Sequence, residues 1–327
     1  RQAAYAWEDL PSAISLDAEL PQRSVMTDKY GKVIAVFYGQ NRVPLTLAQI
    51  SPHAVSALLA TEDDRFYEHG AVDVQGLVRA VLRNRSGGRQ GGSGITQQYV
   101  KNLLLTEART VEQEQYVTEA TLGRKIRELR YAAAVEKTLS KDQILERYLN
   151  TVNFGDGAYG IGAASLHYFG VPADKLGITQ AALIIGILKS PTNYNPVDNP
   201  TLARVRRDVV LQRMLDTHRI TQPEFDAAVT SPLGLKLTDP AQGCGRSTYP
   251  FFCQWVVNVM SVNKAFGATP EARADLLYRG GLTIRTTLDP AVMAAAQSAA
   301  SSALSPTNRV AAGIVVVQPG TGAVAAI

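Results

Sequence analysis

The chain has 327 residues, of which 46% are hydrophobic and 19% are charged, and its formal net charge is +4. This length and apolar content suit about two packed domains and exclude intrinsic disorder, a collagen-like repeat and a disulfide-dense small protein. The net charge is too small to indicate nucleic-acid binding, and two cysteines cannot build an ordinary thiolate zinc site. The longest apolar run, 181–188, is far shorter than the ~20 residues that span a bilayer.

Residues 1–40 are predicted to be an approach segment, with two short strands around a turn within 24–38. Helical signals dominate from 51 to about 216. Ser51 followed by Pro52 is typical of a helix start, because serine caps the helix and proline suits its first turn. The pattern therefore predicts a hairpin followed by a mainly helical domain.

Three later helices are predicted from their ends and from their apolar spacing. Ser140 and Gln143 have the spacing of a capping box ahead of an apolar stripe. Thr179 is placed to cap an apolar helix over 181–188. A long helix is predicted over about 118–139, with an apolar stripe made of Leu122, Ile126, Leu129 and Ala133.

The composition of the chain changes after about residue 220. Residues 231–245 are rich in proline, glycine and hydroxyl side chains, which indicates a linker. From 281 the pattern is typical of strands, interrupted by a short alanine-rich helix. The last stretch is predicted to be a hairpin, because two apolar runs flank the Pro-Gly-Thr-Gly sequence at 319–322.

Three clusters of polar residues are candidates for chemistry, and the first is 61–70. Its ionisable side chains and aromatic rings are dense for a chain that is 19% charged. One hypothesis is that a carboxylate beside an apolar wall serves there as a general base near neutral pH. The alternative is a solvated loop.

The second cluster is 91–102, where glycines are followed by hydroxyl and amide side chains. Such a segment suits a loop whose backbone N–H groups meet a phosphate or a sugar at a helix start. It is not a Walker loop, because the required Gly-Lys-Ser/Thr is absent. A mobile loop that simply enters a helix is the alternative.

The third cluster lies on the predicted long helix and contains Arg124, Lys125 and Glu128. Arg124 and Glu128 are four residues apart and lie well round the helix from the apolar stripe. The simplest interpretation is an exposed ion pair worth a few tenths of a kcal/mol. The functional alternative places both cations against an anionic leaving group, with Glu128 holding them or acting as a second carboxylate.

Two arginine-rich stretches are expected to be solvated faces, and the first has acidic lipid headgroups as an alternative partner. Their members are Arg79, Arg83, Arg85 and Arg89 in the first, and Arg204, Arg206, Arg207 and Arg213 in the second. The histidines at 53, 167 and 218 have no metal-ligand spacing, so no metal site is predicted.

Taken together, the clusters resemble the peptidoglycan glycosyltransferase domain of class A, bifunctional penicillin-binding proteins, which is glycosyltransferase family 51. The first family motif is matched by Glu62, Asp63, Phe66 and His69, the second by 91–102, the third by Arg124, Lys125, Glu128, Ala132 and Glu136, and two more by 144–170 and 181–196. Five motifs in the family's order make this resemblance specific.

The resemblance implies a mainly α, lysozyme-like domain over 41–220, with a membrane-facing lobe between about 73 and 119. A linker over 221–280 and the truncated start of a transpeptidase domain, a small α/β fragment over 281–327, would follow. The transpeptidase nucleophile is expected beyond Ile327, so this chain is expected to polymerise glycan without cross-linking peptides.

The implied substrate is lipid II, a disaccharide-peptide on a polyprenyl pyrophosphate, which joins a growing β-1,4-linked glycan strand with inversion. The implied catalytic residues are Glu62, as the base, and Glu128. The implied substrate-binding residues are Asp63, Phe66, His69, Gln98, Lys101, Asn102, Arg124 and Lys125. No cofactor is required by the resemblance, and a divalent cation stays open.

The implied location is the outer face of the bacterial cytoplasmic membrane. The resemblance also implies an anchoring helix upstream, and a sequence that begins at Arg1 without methionine is expected to be a piece of a longer one. The implied partners are lipid II, the glycan strand, the outer leaflet, other cell-wall synthesis proteins and the inhibitor moenomycin, with no nucleic acid. An oxidising exterior would permit a disulfide between Cys244 and Cys253, which are close in sequence.

Two residues depart from the family pattern. Ala71 stands where the family usually has glycine, and Gly94 stands where it usually has a threonine implicated in substrate contact. Losing that hydroxyl would weaken one hydrogen bond, on the order of 0.5–1.5 kcal/mol. Two alternative functions stay open: a lysozyme-like glycan hydrolase and a non-catalytic scaffold of the cell-wall machinery.

Overall fold

The computed structural model describes residues 20–73, 93–108, 111–238, 240, 242–303 and 312–327. Its described residues are mainly α-helical, with short strands, as predicted. They form two compact units, one of which is Arg42–Thr238 and the other Pro21–Asn41 together with Asp239–Ile327. No helix in the described ranges combines the length and the apolar character needed to cross a membrane.

The first unit is a helical assembly that also contains strand β4 (Ala158–Tyr159), and strand β3 (Asn41–Arg42) lies at the boundary of the two units. Its helices are α1 (Pro52–Glu62), α2 (Ile95–Glu107), α3 (Val111–Thr118), α4 (Leu122–Thr138), α5 (Lys141–Thr151), α6 (Ile161–Phe169), α7 (Ile178–Ile187), α8 (Pro200–Asp216) and α9 (Gln222–Thr230).

Helix α7 lies at the centre of the first unit. Every residue from Ala181 to Ile187 is buried, because this stretch is apolar on all sides. It packs against α1 and α8, which also contact each other, while α2 packs against α4 and α5. The helices that carry the polar clusters are therefore held against one apolar core.

Two of the predicted helix starts are confirmed. Ser51 caps α1 by accepting a hydrogen bond from the His53 amide at 3.3 Å, and Pro52 occupies the first turn. Ser140 and Gln143 form the predicted capping box, with each side chain accepting from the backbone amide of the other at 3.2 and 2.9 Å. These local signals set the ends of α1 and α5.

Two other predicted boundaries are wrong. Thr179 lies inside the first turn of α7, which begins after Gly177, whose amide donates to the Gln180 side chain at 3.1 Å. The predicted long helix over 118–139 is interrupted: α3 ends at Thr118, and Thr121 caps α4 by accepting from the Arg124 amide at 3.1 Å.

The predicted apolar stripe on α4 is not its buried face. Leu122 is 74% exposed, and the other three stripe residues are only half-buried. The buried positions are instead Glu128, Tyr131, Ala132 and Val135. Hydropathy alone predicts the wrong face because the residue that begins the buried one is a carboxylate, whose charge is compensated by neighbouring cations.

The second unit contains a sheet in the order β2–β1–β5. Strand β1 (Ser24–Thr27) pairs antiparallel with β2 (Val33–Phe37), which confirms the predicted hairpin, and parallel with β5 (Thr283–Arg285). The other elements are α10 (Pro250–Val262), α11 (Pro270–Arg279), α12 (Pro290–Ala303) and a hairpin of β6 (Val316–Val317) and β7 (Val324–Ala326) around the predicted turn.

These units divide the chain at other places than the pattern predicts. The approach segment joins the second unit because β1 has a partner, β5, more than 250 residues later. The segment 221–280, predicted to be a linker, contains α9 in the first unit and α10 and α11 in the second. Pairing over such a distance leaves no local signal in the sequence.

A disulfide ties two parts of the second unit together. Cys253 lies in the first turn of α10 and is fully buried, and its partner is Cys244, as predicted. The residue before Cys244 is bonded to the sheet, because the Gly243 amide donates to the Val36 carbonyl of β2 at 2.8 Å. The bridge therefore connects the edge of the sheet to α10.

Replacing both cysteines by alanine is expected to lower the free energy of unfolding of the second unit by about 2–3 kcal/mol, because the unfolded chain gains entropy. Denaturant unfolding followed by fluorescence measures it. The parent protein in reducing agent is the control and should match the variant. Unfolding of the variant at the same denaturant concentration as the oxidised parent would contradict this role.

Candidate active site

A cavity of about 640 Å³ opens in the first unit, and it is lined by residues of α1, α2, α4, α5 and α8 and by the segment that follows α7. The lining contains two carboxylates, those of Glu62 and Glu128. Around them lie six basic side chains, those of Lys101, Arg124, Lys125, Lys189, Arg206 and Arg213. This arrangement is suited to a ligand that carries several negative charges.

Glu62 is the last residue of α1, and its carboxylate faces the cavity with little exposure. Its Oε2 accepts a hydrogen bond from the Gln98 side-chain nitrogen at 2.8 Å. Its Oε1 lies 4.0 Å from Nη2 of Arg206. One oxygen is thus held by an amide while the other faces a cation, which keeps the carboxylate in a defined direction.

The orientation of Gln98 is set by Tyr148. The Tyr148 hydroxyl donates to Oε1 of Gln98 at 3.0 Å, so the amide nitrogen points to Glu62. Burial, and then the negative charge of Glu62, holds the pKa of Tyr148 well above its usual value. The phenol therefore keeps its proton and remains the donor. In this relay of two hydrogen bonds, Tyr148 donates to Gln98 and Gln98 donates to Glu62.

Helix α4 brings Arg124, Lys125 and Glu128 together, as predicted. The Glu128 side chain is only 4% exposed and pairs with the Arg124 guanidinium and with the Lys125 ammonium, the latter at 3.0 Å. Lys125 also donates to the Ser93 hydroxyl at 2.7 Å. A buried carboxylate is tolerated because both cations compensate it, so the interpretation as an exposed ion pair is wrong.

Helix α2 contributes Gln98, Lys101 and Asn102 to the cavity. The Asn102 side chain donates to the Gln98 carbonyl at 2.8 Å, which braces the turn that carries Gln98. Within the described ranges, the Lys101 ammonium has no ion pair or hydrogen bond. Its charge is thus available to a ligand.

Three of the predicted substrate-binding residues lie behind the cavity wall rather than in it. Asp63 is buried, with Oδ1 2.7 Å from His69 Nε2 and Oδ2 accepting from the Ile95 amide at 3.2 Å. Phe66 is fully buried, and Nζ of Lys141 lies 4.4 Å from its ring centroid. The cluster at 61–70 is therefore only partly a solvated loop: Asp63 and Phe66 are packed next to Glu62, while the side chains of Asp64, Tyr67 and Glu68 are exposed.

The second arginine stretch was expected to be solvated, which is correct only for Arg204. Arg206 and Arg213 line the cavity together with Lys189, and none of the three is among the predicted site residues. A spacing of seven residues on one helix places two side chains on the same face, and this signal could have found the two arginines.

Arg207 is fully buried, and its guanidinium has a structural role. It donates to the carbonyl oxygens of Val229 and Ser231 at 2.9 and 2.7 Å, which ties α8 to the end of α9.

The first arginine stretch and the glycines at 91 and 92 lie outside the described residues.

The histidines at 167 and 218 do not line the cavity. Nε2 of the buried His167 lies 3.2 Å from an Asp156 oxygen, and His218 is exposed. In the part of the chain that the structure describes, no group of three or more histidine, cysteine, aspartate or glutamate side chains is arranged to hold a metal ion.

The family model for the transglycosylases, described as "Transglycosylase", matches residues 30–215 of this chain. The chain belongs to the transglycosylase family. This membership confirms the predicted family and its enzyme class, peptidoglycan glycosyltransferase.

The transglycosylase is similar to long penicillin-binding proteins. It is 37% identical over 300 residues to penicillin-binding protein 1A of Escherichia coli K12, covering 90% of this chain and 32% of the relative. It is 36% identical over 287 residues to penicillin-binding protein 1A of Aquifex aeolicus, covering 86% of this chain and 36% of the relative. The chain thus spans about a third of these curated relatives.

Among solved structures, the crystal structure of penicillin-binding protein 1A from Haemophilus influenzae matches with a TM-score of 0.46 and 23% sequence identity. The match covers 87% of this transglycosylase and 30% of that chain.

Replacing Tyr148 by phenylalanine is expected to lower the kcat of the transglycosylase about 5- to 10-fold, because the Gln98 amide loses the donor that orients it, a loss of about 1 kcal/mol. Tyr168→Phe is the matched control, since the buried Tyr168 hydroxyl donates to the Phe154 carbonyl at 2.8 Å away from the cavity. Both variants should lose stability in thermal denaturation. A reduction of kcat by both variants, or by neither, would contradict the relay.

Proposed function

We propose that this transglycosylase polymerises lipid II into β-1,4-linked glycan strands with inversion and release of polyprenyl pyrophosphate. The observation that carries the proposal is the cavity that Glu62, a carboxylate held by Gln98, lines together with six basic side chains. The family membership and the penicillin-binding relatives support the same substrate class.

Glu62 is the general base of the proposed reaction. It takes the proton from the 4-hydroxyl of the incoming GlcNAc while that oxygen attacks C1 of the MurNAc at the reducing end of the strand. The new C1–O bond forms on the face opposite the pyrophosphate, whose bond to C1 breaks, so the anomeric centre inverts. Gln98 keeps Glu62 aimed by donating to its Oε2.

The leaving pyrophosphate gains negative charge as its bond to C1 breaks, and preorganised cations stabilise that charge. Arg124 and Lys125 are suited to this role because Glu128 holds both of them. Lys101, whose side chain has no described partner, adds a third cation.

The same chemistry explains the basic side chains of α8 and of Lys189, which follows α7. Both reactants are pyrophosphates of a polyprenol, since one carries the growing strand and the other the incoming disaccharide. Lys189, Arg206 and Arg213 provide cations for a second pyrophosphate on the part of the wall that contains Arg206, next to Glu62. A single pyrophosphate would not need six basic side chains.

A lysozyme-like hydrolase is the first alternative, since a carboxylate in a cleft suits both reactions. The excess of cations favours transfer, because hydrolysis of a neutral glycosidic bond creates no pyrophosphate to neutralise. A non-catalytic scaffold is the second alternative. The intact arrangement of Glu62, Gln98 and Glu128 favours an enzyme. The departure at Ala71 does not weaken this argument, because the contact that Ala71 makes is through its backbone carbonyl, which accepts from Gln97 at 2.9 Å.

The partners and the location are part of the proposal. The substrates place the enzyme at the outer leaflet of the bacterial cytoplasmic membrane, with the glycosyltransferase domain over 41–220 and the start of a transpeptidase domain from 281. Moenomycin is proposed as an inhibitor of this cavity, and other cell-wall synthesis proteins as partners.

Replacing Glu62 by glutamine is expected to lower the polymerisation of labelled lipid II by a factor of about 10²–10⁴, because the base is lost. Gel-resolved strand lengths measure it, with and without moenomycin, and thermal denaturation verifies the fold. Lengthened strands from the parent support transfer. Shortened strands from added glycan would instead establish a hydrolase, and no reaction from the folded parent would favour the scaffold.

Replacing Arg206 by glutamine is expected to lower kcat/KM for lipid II about 10- to 100-fold, since a charged contact to pyrophosphate is worth about 1.5–3 kcal/mol. Arg204→Gln is the matched control, because it removes the same charge from the exposed side of the same helix. Steady-state kinetics of both variants measure the difference. Equal effects of the two changes would contradict a local role of Arg206.

A further inference from the structure

Helix α2 begins at a residue that has no side chain to cap it. Gly94 occupies the N-cap position and makes no side-chain hydrogen bond to the helix. Its φ of −70° and ψ of 172° describe extended backbone that any residue adopts. Backbone conformation therefore does not require glycine here, and the reason for a residue without a side chain lies in its surroundings.

The surroundings of Gly94 leave no room for a Cβ while Asp63 keeps its position. A Cβ at this position would lie 2.7 Å from Oδ2 of Asp63, closer than such atoms approach each other. The carboxylate cannot simply turn away, because its other oxygen is 2.7 Å from Nε2 of His69 and the side chain is 5% exposed. The missing Cβ is what admits Asp63.

The Asp63 carboxylate caps α2 in place of the N-cap side chain that Gly94 lacks. Oδ2 of Asp63 accepts a hydrogen bond at 3.2 Å from the Ile95 amide, the first amide of α2. That amide is one of the donors that a helix leaves without a partner in its first turn. A negative charge at this end also interacts favourably with the helix dipole.

We propose that Asp63 is a positioning residue, which caps α2 from another segment of the chain and thereby holds Gln98 on the base Glu62, and that Gly94 is the residue that admits it. The Gly94 carbonyl accepts from the Gln98 amide at 3.1 Å, so the cap and Gln98 are one helical turn apart. The Gln98 side chain then returns to Glu62, the neighbour of Asp63.

This proposal assigns new roles to two residues. Asp63 acts through Gln98 instead of contacting substrate, and in this chain Gly94 leaves the space that the capping carboxylate occupies. Only the kinetic part of the inference rests on the proposed function; the capping itself is independent of the reaction.

The first experiment compares Gly94→Ala with Gly177→Ala in the full chain. Gly177 is the N-cap of α7 with a similar φ of −80°, but a Cβ there would meet its nearest atom at 3.9 Å. Gly94→Ala should speed hydrogen exchange of the amides at 95–98 and lower kcat, each about tenfold, with KM within about twofold. Gly177→Ala should change none of these. Equal exchange rates at 95–98 in the two variants would overturn the proposal.

The second experiment asks for rescue. Asp63→Ala should lower kcat about tenfold with KM within about twofold. Adding Gly94→Ser should recover most of the loss, because the smaller residue 63 leaves room for a serine that caps α2 itself. A rise in KM for lipid II that the serine does not reverse would show that Asp63 contacts substrate, and would overturn the proposal.

The two proposals fail differently. If the parent protein does not polymerise lipid II, the proposed function fails, while hydrogen exchange at 95–98 still measures the cap. If the parent is active and slow exchange at 95–98 survives the loss of the Asp63 carboxylate, the cap fails alone.

Discussion

The arrangement of the site depends on a closed ring of contacts through two consecutive carboxylates at the end of α1. Asp63 bonds to the first amide of α2, and Glu62 accepts from Gln98 one turn later on the same helix. Because the two acids are adjacent in the chain, the bond between Asp63 and α2 limits where the Glu62 carboxylate can lie relative to Gln98. Glu62, the proposed base, is therefore held by the junction of two helices, which resists rotation better than a single hydrogen bond does.

Charge compensation explains how Glu128 is held in the part of the cavity that α4 lines. Glu128 is buried on the face of α4 that packs against the core, and this is tolerable only because Arg124 and Lys125 neutralise it. The dependence is mutual, since the carboxylate also fixes the directions of two long side chains. Cations that are already fixed lose little entropy when an anion arrives.

The sequence predicts those parts of the fold that have local causes. Ser51 and Ser140 set the starts of α1 and α5, and the alternation within 24–38 predicts β1 and β2. The parallel partner of β1, strand β5, was not predictable, because pairing between such distant segments leaves no local pattern. Motif resemblance brought Glu62, Gln98 and Glu128 to one site, yet it could not tell that Asp63 lies behind the wall.

The cavity also couples folding to occupancy. Its lining has four more positive than negative side chains, as large an excess as the formal net charge of the entire chain. When the cavity holds only water and salt, these like charges repel one another and oppose the compact state. In the proposed reaction, a bound pyrophosphate would relieve that repulsion and, by binding only the folded protein, would shift the equilibrium toward the native state. The polyprenyl pyrophosphates of the proposed reaction would thus stabilise the fold that processes them.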